Sequence, residues 1–230
     1  MAKREAKQYV CQNCGSVYPK WQGKCDAFGE WNTIIEEATS SEGFSNLNSK
    51  KSKGRIIDFV PLSGAEQHLS RLSTGNKELD RVCGGGLVSG SVILVGGDPG
   101  IGKSTLLLQA CAKVADLKGN PEVYYISGEE AIDQVRIRAK RLQLDKAPVK
   151  LASCTDIKDI VATLEKSNAA VVVIDSIQTM YLEEVESTPG SVAQVRACSY
   201  ELIKQAKRKG FTLFLVGHVT KQGAIAGPRV

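Results

Sequence analysis

Eight residues, Gly97-Asp98-Pro99-Gly100-Ile101-Gly102-Lys103-Ser104, have the types and spacing that a triphosphate requires. Glycines let the backbone curl until successive N–H groups converge on phosphate oxygens. In that pattern Lys103 reaches the β- and γ-phosphates and Ser104 offers its hydroxyl to Mg²⁺. The apolar run Val92–Val95 precedes the loop and a good helical stretch follows it. A helix starting there adds its N-terminal positive end to the anion site. The chemistry on offer is binding of a nucleoside triphosphate.

Hydrolysis asks for two further groups. A carboxylate must hold the Mg²⁺ shell, and Asp175 ends the apolar run Ala169–Ile174, at the edge where open α/β sheets take their ligands. A second polar group must orient water in line with the γ-phosphate. Glu129, with Glu130 as second choice, follows the run Tyr124-Tyr125-Ile126-Ser127-Gly128. Glutamate also suits the first turn of a helix, so the residue type alone leaves a structural role open. His218, after a further apolar run, can sense the γ-phosphate and relay it to the loop that follows, or serve as an ordinary structural histidine.

The cysteines suggest a second chemistry. Cys11-x-x-Cys14 makes one metal knuckle and Cys25 begins another, but Phe28 stands where a fourth thiolate would complete a tetrahedral Zn²⁺ site. Cys11, Cys14 and Cys25 are the expected zinc ligands, with Asp26 or water completing a weakened shell. Gly15, Gly23 and Gly29 suit the turns, and Trp21 and Trp31 can cover a site too small for a core of its own. A coincidental cluster of cysteines and tryptophans is the competing reading.

Elements that position these groups follow from hydrophobic patterning. The chain has 230 residues, 42% of them hydrophobic, and a net charge of +5 that allows a nucleic-acid partner without requiring one. Residues 1–35 read as a zinc-ribbon-like hairpin, 36–59 as a flexible linker rich in Ser, Gly, Asn and Lys, and 60–230 as the main domain. In the main domain four apolar runs, 91–95, 122–126, 170–174 and 211–216, predict buried parallel strands. Helices are predicted over 104–118, 129–143, 156–167 and 191–208. Alternating strands and helices imply an α/β fold with a central parallel sheet covered on both faces. The N-terminus carries no secretory pattern and no apolar run approaches the ~20 residues of a spanning helix, so a cytoplasmic protein without membrane partners is expected. Seven cysteines in that setting suggest metal ligands or buried thiols.

Taken in order, the motifs resemble those of the RadA (Sms) family of bacterial RecA-like DNA repair ATPases. They are Tyr9-Val-Cys-Gln-Asn-Cys-Gly, Arg71-Leu-Ser-Thr-Gly75, Glu78-Leu-Asp-Arg81, Gly84-Gly-Gly-Leu-Val88, the phosphate loop through Thr105, Ile126-Ser-Gly-Glu-Glu130 and Ile174-Asp-Ser-Ile-Gln-Thr179. Pro189-Gly-Ser-Val192, Val216-Gly-His-Val-Thr-Lys221 and Gly227-Pro-Arg-Val230 complete the set. The resemblance implies a RecA-like P-loop fold and a DNA-dependent, helicase-like ATPase. Such proteins assemble as hexamers on single-stranded or branched DNA and drive branch migration of recombination intermediates beside a RecA-type recombinase. It implies that Lys103, Ser104 and Thr105 serve ATP and Mg²⁺, that Asp175 serves the metal, Glu129 the attacking water, and His218 a switch. Segments 178–192 and 220–229 would take the places of DNA-facing loops, with Lys221 and Arg229 as candidate phosphate contacts. A Lys-Asn-Arg-Phe-Gly motif and a Lon-like domain would lie beyond Val230, so the chain reads as an N-terminal fragment. Two other expectations stay open: a RecA-like regulator acting on proteins, similar in its Glu-Glu pair to the circadian ATPase KaiC, and a nucleotide-binding fragment without turnover.

Overall fold

A computed structural model of the protein describes residues 7–11, 17–26, 31, 34–38 and 70–218. Cys14, Phe28, Lys221 and Arg229 lie outside them, as do residues 39–59 of the expected linker. In the N-terminal part, β1 (Lys7–Cys11), β2 (Val17–Tyr18) and β3 (Ile34–Ala38) form an antiparallel sheet in the order β2-β1-β3. Cys11 and Cys25 are fully buried and pack with Ile34, Tyr9 and Tyr18. Trp21 and Trp31 do not cover this cluster as expected: they are 59% and 70% exposed. A unit this small has no depth for two indoles once its centre is filled.

The main domain opens with a ribbon of β4 (Arg71–Leu72) and β5 (Leu87–Val88) joined through a short helix, α1 (Lys77–Val82). Asn76 caps α1, its side-chain oxygen accepting from the N–H groups of Glu78 and Leu79 at 3.0 and 3.1 Å. Asp80 then ties the helix back to the ribbon. It accepts from Ser73 Oγ at 2.6 Å, Thr74 N at 2.8 Å and Thr74 Oγ1 at 2.7 Å. Burial works against the charge, yet these bonds outweigh it and hold the Asp80 carboxyl below its usual range. This knot accounts physically for the Ser-Thr-Gly and Leu-Asp pieces of the motif series.

Five parallel strands form the central sheet: β6 (Val92–Gly97), β7 (Glu122–Ser127), β8 (Val149–Ser153), β9 (Ala169–Asp175) and β10 (Thr212–His218). Their order is β6-β10-β9-β7-β8. Helices α2 (Lys103–Ala115), α3 (Ile132–Arg141), α4 (Ile157–Glu165) and α5 (Val192–Lys209) connect them. Side chains alternate across a strand, so β9 feeds two cores. Val171 and Val173 pack with Phe214, Tyr125 and the α2 residues Leu107, Leu108 and Cys111. Val172 and Ile174 pack with Leu213, Leu215, Ile160 and Leu164 of α4 and Leu202 of α5. Each such side chain, buried fully, contributes about 1.5–3 kcal/mol.

The four expected strands are all present and β8 is an addition, but β6 is not buried as expected: it lies at an edge of the sheet, and Leu94 is 46% exposed. β8, at the opposite edge from β6, is half-buried at Val149 and Leu151 and exposed at Lys150, Ala152 and Ser153, and it carries no continuous apolar run. The helix expected over 129–143 starts at Ile132. Glu129 and Glu130 therefore precede the helix rather than form its first turn. Among the described residues no helix is long and apolar enough to cross a membrane.

Candidate nucleotide site

The phosphate loop lies between the end of β6 and the start of α2. Gly102 caps α2 with φ of 98°, a left-handed conformation that glycine adopts without strain. This turns the first helical N–H groups toward the loop's concave side. Lys103 is buried, and its Nζ donates to Gly97 O at 2.7 Å and Asp98 O at 2.8 Å, holding the ammonium inside the loop. No Cβ built at Gly100 or Gly102 would meet a heavy atom within 4 Å, so the loop's crest is open.

Three other strand ends converge on it. In register, His218 of β10 stands opposite Gly97 of β6, and Ser127 of β7 opposite Asp175 of β9. Asp175 is 6% exposed and accepts a hydrogen bond from the buried Tyr125 hydroxyl. Burial and the Asp175 charge push the Tyr125 phenol well above its usual range, so it stays a neutral donor. The Asp175–Ser176 peptide bond is cis. A single 3₁₀ turn, Ile177–Thr179, follows and lies over Gly128. A Cβ at Gly128 would fall 2.2 Å from Thr179 Oγ1 and 2.9 Å from Met180 Cε, so close approach demands glycine between Ser127 and Glu129.

The two glutamates part company. Glu129 Oε1 accepts from Ser176 Oγ and lies 2.9 Å from His218 Nε2. A carboxylate that only accepts requires the proton on Nε2. Burial alone would raise the Glu129 carboxyl, but the Ser176 and His218 hydrogen bonds and the Lys103 charge together hold it below its usual range. Glu130 pairs instead with Arg138 of α3, whose side chain is 12% exposed. Gln178 Nε2 donates to His218 O at 3.3 Å, linking the 3₁₀ turn to the end of β10. Among the described residues, Gln178 Oε1 and His218 Nδ1 are both buried without a hydrogen-bond partner.

Thus Lys103, Asp175, Glu129 and His218 gather at one edge of the sheet. Tyr125, Ser176 and Gln178 were not singled out from sequence because their partners lie 40 or more residues away, and Arg138 because its partner Glu130 lies eight residues before it, off the helix. The segment 178–192 is fastened down and acidic. Buried Gln194 donates to the carbonyls of Leu182, Val185 and Ser187, and Lys158 bridges Glu183 at 3.2 Å and Glu184 at 2.9 Å.

Known proteins match the chain over these residues. The family model described as AAA domain matches residues 65–224. A model described as rubredoxin metal binding domain matches residues 9–36. The chain is 49% identical over 238 residues to DNA repair protein RadA of Brucella abortus (strain 2308), aligning in full with 50% of that protein. Identity is 45% to DNA repair protein RadA of Pseudomonas aeruginosa and 45% to that of Bacillus subtilis (strain 168), again over the whole chain and 50% of each relative. The chain therefore spans about half the length of the curated relatives it matches, and the resemblance carried by its motifs is borne out.

Proposed function

The chain belongs to the AAA domain family, and from that premise we propose that it binds and hydrolyses ATP in DNA repair and recombination. The observation that carries this reading is the meeting of Lys103, Asp175 and the Glu129–His218 pair at one sheet edge. Lys103 exchanges the carbonyls of Gly97 and Asp98 for β- and γ-phosphate oxygens, while the backbone N–H groups that the loop 97–104 carries at every position but Pro99, with Thr105 at the start of α2, cradle the phosphates. A buried carboxylate bonded to the neutral Tyr125 hydroxyl suits a hard divalent cation, and Ser104 and Asp175 would hold Mg²⁺. When bound, Mg²⁺ neutralises charge on the phosphates. Glu129, held ionised, orients the attacking water and accepts its proton as the water attacks the γ-phosphate. His218 shares Glu129 Oε1 with Ser176 and leads into residues 219–230, which makes it the residue to report the γ-phosphate to that segment.

The relatives are named DNA repair proteins, and on the resemblance of the motifs we propose the wider setting: ATP-driven branch migration on single-stranded or branched DNA, in a hexamer working beside a RecA-type recombinase. Lys221 and Arg229 are the candidate phosphate contacts. For the N-terminal sheet, the buried thiols of Cys11 and Cys25, with Tyr18 Oη 3.2 Å from Cys25 Sγ, suit zinc, and Cys11, Cys14 and Cys25 would hold it.

A second reading draws on the fastened, acidic 182–187 segment, a poor surface for tracking phosphates: ATP turnover that serves protein partners. ATP turnover measured with and without single-stranded DNA separates the two. Stimulation that fades steeply with salt supports the DNA motor, because phosphate contacts release counterions. Turnover indifferent to DNA overturns it in favour of the second reading, and binding without turnover overturns both.

A further inference from the structure

Trp21 and Trp31 are the chain's two tryptophans, and neither contributes to a core. A Cβ at Gly23 would lie 3.6 Å from Trp31 Cε3 and Cζ3 and 3.8 Å from Trp21 Cη2. The two indoles therefore flank one glycine, whose Cβ position is in ordinary van der Waals reach of both. Trp21 is anchored by its Nε1, which donates to Ile34 O at 3.2 Å. Trp31 bridges Lys24 through the backbone, and the Lys24 ammonium sits 5.9 Å from the Trp31 ring centre. Lys20, next to Trp21, is exposed. Two carboxylates, Asp26 and Glu30, belong to this stretch, and Asp26 is engaged by Gln22 Nε2 at 3.0 Å.

Two contiguous indoles kept in water are an interaction surface, unlike scattered exposed apolar residues. Among the described residues, Lys20 and Lys24 bring ammonium groups beside them. Aromatic faces beside cations form the combination that takes an unpaired strand, with bases on the rings and phosphates on the lysines. We propose that Trp21 and Trp31, flanking Gly23 beside Lys20 and Lys24, form a stacking platform for the unpaired bases of single-stranded DNA. The choice of polymer rests on the DNA reading above; the platform itself rests on the geometry of the indoles.

Because the platform holds both tryptophans, their emission reports its occupancy. The 230-residue chain is titrated, without ATP, with unlabelled oligodeoxythymidylate for emission and with the dye-labelled strand for anisotropy. Saturable quenching should accompany the rise in anisotropy. Trp31→Ala should weaken binding about tenfold, equal to ~1.4 kcal/mol and within the range for one stacked base, and Trp31→Phe should keep most of the affinity. A blunt DNA hairpin of matched charge should quench weakly. Rising anisotropy with unchanged emission, a Trp31→Ala variant that binds as tightly as the parent, or equal quenching by the hairpin overturns the platform and leaves the DNA reading standing. The absence of both signals with every DNA overturns the two together.

Discussion

Glu129 and His218 lie 89 positions apart in sequence, yet Oε1 of one is 2.9 Å from Nε2 of the other. Glu129 leaves β7 and His218 ends β10, and in the sheet β9 lies between those strands. The pair thus arches over the end of β9, where Asp175 stands. Ser176 fixes the same carboxylate oxygen from below. The two roles proposed for this pair, water orientation and phosphate sensing, would therefore share one atom.

Glu129→Gln should lower ATP turnover about 10²- to 10⁴-fold, the usual range for losing a positioned proton-transfer group, while ATP binding persists. Parallel turnover and nucleotide-binding measurements check this. The pH profile carries a sign. The folded carboxyl is depressed, so Glu129 is ionised across the neutral range and should impose a fall in rate only as pH drops through its folded value. Ser176→Ala removes a bond that favours the charged form, so that acid limb should move to higher pH.

Lys103→Ala should abolish ATP binding, since its ammonium is the group held inside the loop by Gly97 O and Asp98 O. Near-normal affinity in a fluorescent-nucleotide titration would refute the assignment.

Gly128→Ala places a methyl 2.2 Å from Thr179 Oγ1, and the 3₁₀ turn must shift to admit it. A cost of about 1–3 kcal/mol is expected from such overpacking. Because Ser176 precedes that turn, turnover should fall further than stability accounts for. Chemical denaturation and steady-state rates, compared in one variant, measure the two effects.

Asp80→Asn should lower the unfolding midpoint at neutral pH. The folded carboxyl is depressed, so its contribution is full above the unfolded value of about 3.9 and is lost as pH falls through the folded one. Parent and variant should converge in acid, and a gap unchanged from neutral pH to below pH 3 would contradict the Asp80 knot.

Zinc should co-purify with the protein but leave it under mild chelation, because Phe28 stands in the position of the fourth thiolate. Phe28→Cys should raise retention. Elemental analysis before and after chelation decides, and stoichiometric zinc that survives the chelator in the parent would contradict a weakened site.

Strands β6, β7, β9 and β10 were legible in the sequence, since each presents a nearly unbroken apolar run. Strand β8 was not, because it carries no continuous apolar run. The phosphate loop and Asp175 were legible for a related reason: their chemistry is local, a loop spacing and a strand end. Glu129 was chosen over Glu130 by position alone, and only the fold shows one bonded to Ser176 and His218 and the other to Arg138. Tyr125 lies 50 residues from Asp175, and no local pattern announces such a partner. The tryptophans were misjudged because exposure is a property of the folded unit, not of the residue type.

The two-sided burial of β9 has a consequence for how the protein tolerates variation. In a saturation-mutagenesis map, a half-buried strand shows a period of two, with permissive positions alternating with strict ones. β9 should show no such rhythm from Val171 to Ile174, because neighbouring side chains answer to different cores that are equally dry. Its strictness would then run straight into Asp175 and Ser176, where the demand changes from packing to chemistry. A survey of tolerated variants would see one continuous forbidden block. Only a readout that separates abundance from turnover would show where the core ends and the active edge begins.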